Sequence, residues 1–478
     1  MSTSGPHHKV LVLGAGIAGV TSAHYLKENG ITDVIVLEAS QRIGGRIHTV
    51  EFGKKASGEK AIVELGANWI HGRAHNPVYK WALEKGLLEP FVLLDRMEGH
   101  YYTEEGKRLN KELGNKLWEK FLTFEEETGI YFDQNIQTSS TIADFFRERL
   151  DAYIAQFPPE DGVELRLMAN TMLNYLGFHI GDNLNLMSLQ YDGSYEDIPG
   201  GDVKIPRGFS EVVKTFTNNF DVDTVKLGTT VTHIDWDQSK QGSGPVKVCC
   251  SLIGGEQIIY TCDHLIVTCS LGVLKKAVED NSLFKPQLPV DKQMSINKMG
   301  FGKVNKIFLY YDKPFWKSSV KLAWSGEYSN VDEKSEWYKR IFSFDVVMDN
   351  PTVLVAWISS SAALHMEQLP EAEVSKSCTT ILRQFLNNPD VPEPTSILRS
   401  SWCCNPLTLG SYSYFNMDST PSDITTLSEP LYNMDGKPIV LFAGEATHPR
   451  WNSTTHGALD SGKREADRLT KYYKSSEK

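Results

Sequence analysis

Apolar and polar positions along this chain follow a few distinct periods. KVLVLGAG (9–16) is continuously apolar from Val10 to Leu13 and then meets glycine, which predicts a strand buried on both faces. A helix follows through about Lys27, and a second apolar strand, Asp33–Leu37, ends at Glu38. Further on, VKLGTTVTHIDW (225–236), VKVCCSLIGG (246–255) and DHLIVTCSLGVL (263–274) are strand-like with turn glycines. The polar stretch QSKQGSGPVK (238–247) reads as a hairpin loop. NKLWEKFLTFEEETGIYF and TIADFFRERLDAYIAQF, within 115–157, are helical. IFLYY, VKLAWSGEY, RIFSFDVV and TVLVAWISS, within 307–360, have the β-branched and aromatic content of an antiparallel sheet. Near the end, 438–469 repeats strand, loop and helix, with the helix opening near Thr455.

One position breaks its own pattern. In GKVNKIFLYY (302–311) alternation puts Val304, Lys306, Phe308 and Tyr310 on one face and Ile307, Leu309 and Tyr311 on the other. A lysine there is ordinarily a solvated strand end, because lysine is rarely buried without a role. Whether it points inward depends on what else the chain encodes.

Composition narrows the choices. The 478 residues are enough for two or more domains, and 41% hydrophobic content suits a large core. No apolar run approaches the roughly 18 residues of a membrane helix. The early first strand leaves no room for a signal peptide, and KYYKSSEK is not an S-K-L type tail, so a cytoplasmic location is expected. Seven cysteines without C-x-x-C spacing and thirteen histidines without H-E-x-x-H argue against a disulfide framework and a metal site. A net charge of −11 disfavours nucleic acid and mildly favours a cationic partner.

The chemistry concentrates at the two ends. Gly14, Ala15, Gly16 and Gly19 form a G-x-G-x-x-G turn between strand and helix, and Glu38 follows Gly19 by 19 positions. This is a dinucleotide fingerprint: glycines let backbone approach a pyrophosphate at the helix N-terminus, and the acid accepts from ribose hydroxyls. Gly44, Gly45 and Arg46 supply a second glycine turn with a guanidinium beside it. VELGANWIHG (63–72) offers small residues where a flat ring can lie on backbone. The C-terminal strand ends at Gly444 and Glu445, the latter placed to accept from a ribityl or ribose hydroxyl. With both ends present, a flavin rather than a nicotinamide is expected.

Together these segments resemble the flavin-containing amine oxidase family over nearly the whole chain. ELGANWIHGRAHNP (64–77), EDIPGGDVKIPRGF (196–209), MGFGKVNKIFLYYDKPFW (299–316), GSYSY (410–414) and GEATHPRWNSTTHGALDSGKREA (444–466) are most similar to the animal spermine and N1-acetylpolyamine oxidase branch. The implied fold is α/β: a discontinuous Rossmann-like FAD-binding domain (1–85, 205–290 and 424–478) plus an α+β substrate-binding domain (86–204 and 291–423) with a mainly antiparallel sheet. The implied activity is oxidation of a secondary amine of spermine or an N1-acetylated polyamine. Hydride passes to flavin N5, the imine is hydrolysed to a shorter amine and an aminoaldehyde, and dioxygen yields hydrogen peroxide.

The resemblance implies noncovalent FAD anchored by Glu38, Arg46 and Glu445, with contacts from Asn68, Trp69, Val231, Trp402, Thr454 and Thr455. Ser411 stands where monoamine oxidases carry the flavin-linking cysteine. Lys306 falls at the family lysine that holds a water near N5, so it is expected to point inward. His71 is expected to hydrogen-bond a substrate amine, Tyr412 to form an aromatic wall, and Thr454 to replace the opposite aromatic wall. Asp192, Glu196 and Asp197 are candidate anions for a distant amine, and His179 stands where the animal enzymes carry glutamate. His75, His448 and His456 are expected to pack or cap, and Cys403 and Cys404 to pack. A histone-lysine demethylase is the first alternative, although its added helical domain and coiled-coil insertion have no room here. A monoamine oxidase is the second, disfavoured by Ser411 and Thr454.

Overall fold

The computed structural model describes residues 3–89, 99–236 and 246–476. The first strand, β1 (Thr3–Leu13), starts earlier than its apolar run because its exposed first half pairs with Ile258–Cys262. In the second half, Val10 and Val12 pack into one core and Leu11 and Leu13 into another. That two-sided burial is why the run is apolar without alternation. Helix α1 (Ile17–Glu28) follows, and strand β2 (Val34–Leu37) returns parallel to β1.

Among the described residues this sheet has nine strands, β1 and β2 included. Strand Gln257–Val267 lies parallel to β1 on its other side and parallel to Pro438–Phe442 beyond. Its early half also pairs antiparallel with Val246–Leu252, which pairs with Thr229–Asp235. The long C-terminal helix, Thr455–Ser476, packs on α1 so closely that a Cβ on Gly462 would lie 2.2 Å from the Ala18 carbonyl oxygen. The Ser22 hydroxyl bonds both the Ala18 and Gly462 carbonyls. The two ends of the chain thus share one layer.

A six-stranded sheet runs in the order Ser396–Arg399, Val304–Tyr310, Asn350–Ser359, Ser343–Val347, Val320–Ala323, His100–Thr103. Every pair is antiparallel except the last. Ile307 and Leu309 face the core under helices Ser360–Gln368 and Glu371–Phe385, and Phe308 faces a second cluster with Val353 and Val355. The alternation read from the sequence is the one observed.

Two elements differ from the reading. Leu271–Asp280 is a helix, not a continuation of strand: Ser270 is extended and its hydroxyl accepts from the Val273 N–H, an N-cap that stops the strand. Pro159–Ile180 is a helix the period did not reveal, because it is buried on several sides and carries no clean polar face. Of the hairpin loop read at 238–247, Val246 and Lys247 belong to a strand, and the rest lies outside the described residues.

Candidate active site

The glycine turn is shaped by close approach. Gly14 has φ +103, and a Cβ there would sit 2.7 Å from the Thr268 hydroxyl. A Cβ on Gly19 would come within 1.9 Å of the Gly14 carbonyl oxygen, so α1 begins hard against the turn. Gly16 is different: a Cβ would meet nothing within 4 Å, which leaves open space before the helix N-terminus. Glu38 is buried at the edge of that space. Its carboxylate accepts from the Ala15 N–H at 2.7 Å and the Ser40 N–H at 2.8 Å, which fixes its direction.

A cavity of about 1500 Å³ starts at this turn. It exceeds the roughly 300–1,000 Å³ of ordinary ligand pockets, leaving room for a dinucleotide and a second molecule. Gly14, Gly16, Glu38, Arg46, Asn68, Trp69, His71, Val231, Lys306, Trp402, Tyr412, Gly444, Glu445, Thr454 and Thr455 all line it. Ala15 and Gly19 do not; the first contributes its N–H to Glu38 and the second its lack of a side chain.

Arg46 does not reach along its own turn. Its Nη1 crosses to Glu445 Oε1 at 2.9 Å and to the Ser411 carbonyl. Glu445 Oε2 accepts from the Ser413 hydroxyl at 2.7 Å and the Ser453 N–H at 2.9 Å. Much of Glu445 is therefore spent joining the N-terminal turn, the 411–413 segment and the C-terminal loop.

Lys306 points inward. Its Nζ donates to the Glu64 and Gly66 carbonyls, each at 2.7 Å, and to Asn68 Oδ1 at 3.3 Å, while lying 4.5 Å from the centre of the Trp357 ring on the paired strand. Burial lowers the ammonium to about 7, and the Glu64 carboxylate pulls it back only in part. Glu64 is itself pushed up by burial, against bonds from the Phe209 N–H and the Thr49 hydroxyl. Trp402 stands over this backbone, its Nε1 donating to Leu65 O at 3.0 Å. The Ser411 hydroxyl donates to Val304 O and accepts from Val304 N–H, locking it to the lysine strand.

His71 is half-buried, and its Nδ1 bonds Asp202 at 2.8 Å across a two-residue strand pair. An Nδ1–H donor leaves Nε2 as the acceptor. The Tyr412 hydroxyl donates to Phe178 O at 2.6 Å, and its ring rests on Gly181. The Thr454 hydroxyl donates to Trp451 O and accepts from the Gly457 N–H, capping the last helix. Asp192 and exposed Asp197 line the cavity, whereas Glu196 does not and pairs with Arg450 at 2.6 Å. Burial raises Asp192 to about 6. His179 lines the cavity, stacked on Tyr175. His448 caps, accepting the Trp451 N–H; Cys403 is buried, but Cys404 is exposed and so does not pack.

Sequence reading missed Glu64, Asp202, Trp357 and Glu367. The last holds the loop before the cavity, accepting the Cys403 and Cys404 N–H groups at 2.8 and 2.7 Å. Asp202 lies 131 positions from His71, and no spacing rule connects them.

The glycine turn, the directed Glu38 carboxylate and the long cavity together define a dinucleotide-binding protein of the doubly wound α/β kind. Residues 17–470 match the family model described as flavin containing amine oxidoreductase, and the chain belongs to that family. A peroxisomal N(1)-acetyl-spermine/spermidine oxidase of Bos taurus is 32% identical, with 96% of this chain and 94% of that protein covered. Probable polyamine oxidase 5 of Arabidopsis thaliana is 30% identical, with 98% of each covered. A solved putrescine oxidase bound to putrescine superposes with a TM-score of 0.71 at 18% identity, covering 97% of this chain and 99% of that one. The cofactor is FAD, and the residues present fit it: the open space at Gly16, the directed Glu38 carboxylate, the Gly444–Glu445 turn and the run 452–455 all border one cavity.

Proposed function

We propose that this chain is a polyamine oxidase, acting on a secondary amine of spermine or an N1-acetylated polyamine with dioxygen as acceptor. One observation carries the reading: Lys306, buried and desolvated, borders the same cavity as the His71–Asp202 pair, and Glu125, Glu126, Asp133, Asp192 and Asp197 also line it. Those acids favour a ligand with several positive charges.

FAD, when bound, supplies the two-electron acceptor for the carbon next to nitrogen and is restored by dioxygen. Glu38, Arg46, Asn68, Trp69, Val231, Trp402, Glu445, Thr454 and Thr455 would hold it, with Gly14, Ala15, Gly16, Gly19 and Gly444 shaping the backbone. We assign it as noncovalent, since Ser411 offers no sulfur and its hydroxyl is engaged on both sides. Asp202 fixes the His71 tautomer so that Nε2 is a base that takes a proton from the substrate ammonium and leaves the amine neutral, the imidazolium so formed being held by the Asp202 carboxylate. Tyr412, held by Phe178 O, gives the amine one aromatic face. Lys306 keeps a cation, or a proton held near neutrality, beside the reacting region, where it stabilises developing negative charge. The same sheets support a division into a cofactor domain (1–85, 205–290, 424–478) and a substrate domain (86–204, 291–423).

A peroxide assay with spermine, spermidine, their N1-acetylated forms and a methylated lysine peptide tests this. Turnover of the polyamines supports it; peroxide from the peptide alone moves the assignment to a demethylase, and peroxide from none of them ends it. Mass spectra of the aldehyde products then identify the bond cut. Among the described residues no helix is long and apolar enough to cross a membrane. The cytoplasmic location proposed from the sequence is checked by imaging a tagged chain.

A further inference from the structure

Three acceptors and one aromatic ring surround the end of Lys306. The Glu64 and Gly66 carbonyls and Asn68 Oδ1 accept from Nζ, and the centre of the Trp357 ring lies 4.5 Å from it. An ammonium has three donors, so this set suits the charged form; a neutral amine leaves one oxygen without a donor.

Register puts the ring there. Trp357 is the direct partner of Lys306 across the antiparallel pair, so both project from one face of the sheet. It is half-buried and borders the cavity, whereas Ala356 and Ile358 beside it point into the core. Asp345 opposes Val355, two positions from Trp357 and hence on the same face, a diagonal that an aromatic side chain spans. Burial pushes Asp345 up, while the Ser343 hydroxyl, Lys321, Ser319 and the Trp357 side chain draw it down. Indole has a single polar group, its N–H donor. The edge of Trp357 thus serves an anion while its face serves a cation. Its ring also lies 4.6 Å from that of Phe178, whose carbonyl accepts the Tyr412 hydroxyl.

We infer that Trp357 is a positioning residue for the oxidation, its ring face holding the Lys306 ammonium against the 64–68 segment, a role that rests on Lys306 bordering the reaction as proposed above. The charged groups around this pair are Glu64, with Lys204 near it, and Asp345, with Lys321 near it. Helix Pro159–Ile180 presents the neutral Phe178 to the ring.

Lys306 protonation can be read without turnover. Stability in urea is measured against pH with and without Lys306→Met, in the FAD-loaded wild type and in Trp357→Leu. The difference curve should begin to rise near pH 7 in the wild-type background, where the folded lysine loses its proton. In the Trp357→Leu background the rise should begin about one pH unit lower, the size of a desolvated cation–π contact. Glu64 is present in all four proteins, so the comparison of the two curves isolates the ring. Trp357→Phe keeps a ring without the N–H and should fall between them. An onset that stays in place or moves up in Trp357→Leu overturns the inference; should that variant fail to fold, an onset in Trp357→Phe equal to wild type overturns it instead. In the peroxide assay, the limb of the kcat–pH profile that vanishes in Lys306→Met should move down by the same amount, and a limb that stays overturns the role in turnover. Peroxide from no polyamine ends the proposed function, while the stability curves still decide the place of Trp357.

Discussion

Replacing Lys306 by methionine exchanges a buried ammonium for an apolar chain of similar length and should leave a pH signature. The folded group sits near 7 against its ordinary 10.5. Between those values the unfolded chain holds a proton that the folded chain lacks, so wild-type stability rises with pH across the window. Below pH 7 both forms are protonated and the contribution is flat. The slope for one group is about 1.4 kcal/mol per pH unit, and the full interval corresponds to about 5 kcal/mol. Lys306→Met lacks this group, so the wild-type stability minus the variant stability should grow by roughly 2–3 kcal/mol between about pH 7 and 9. Urea unfolding at several pH values measures it; groups remote from Lys306 cancel in the difference, whereas Glu64, its electrostatic partner, does not. Parallel stability curves would show that Lys306 is not desolvated as the Glu64 and Gly66 contacts imply. The same variant should keep FAD yet turn over far more slowly, and an unchanged peroxide rate would remove Lys306 from the chemistry.

Glu38→Gln keeps the shape but weakens the acceptor fixed by the Ala15 and Ser40 N–H groups, so FAD should be lost faster on dilution with little change in kcat of the loaded fraction. Gly16→Val fills the open space before α1, where no protein atom lies within 4 Å. It should fold with a near-wild-type Tm in the absence of FAD and fail to turn yellow when FAD is added; retained FAD would place the pyrophosphate elsewhere. Asp202→Asn removes the charge that orients His71, and kcat/KM should fall about tenfold with FAD content unchanged. A normal kcat/KM would make the His71–Asp202 contact merely structural.

What could be read from the sequence was whatever is local. Gly14, Gly16 and Gly19 announce their turn because strand, glycines and helix are contiguous. Lys306 could be assigned a face because alternation has a fixed period of two. Its three acceptors could not be assigned, since Glu64 and Gly66 contribute backbone carbonyls, which leave no mark on side-chain pattern. Asp202 and Glu367 act across 131 and 36 positions, distances bridged only by tertiary packing. Helix 159–180 escaped because burial on several sides erases the polar stripe that signals a helix.

The packing of Gly462 on Ala18 has a consequence for biogenesis. A nascent chain that has emerged only as far as residue 430 owns the glycine turn but neither the strand Pro438–Phe442 nor the helix that closes over α1. Coenzyme capture is thus a late event, completed when the final forty-odd residues dock, and a ribosome-stalled chain should stay colourless however long it waits.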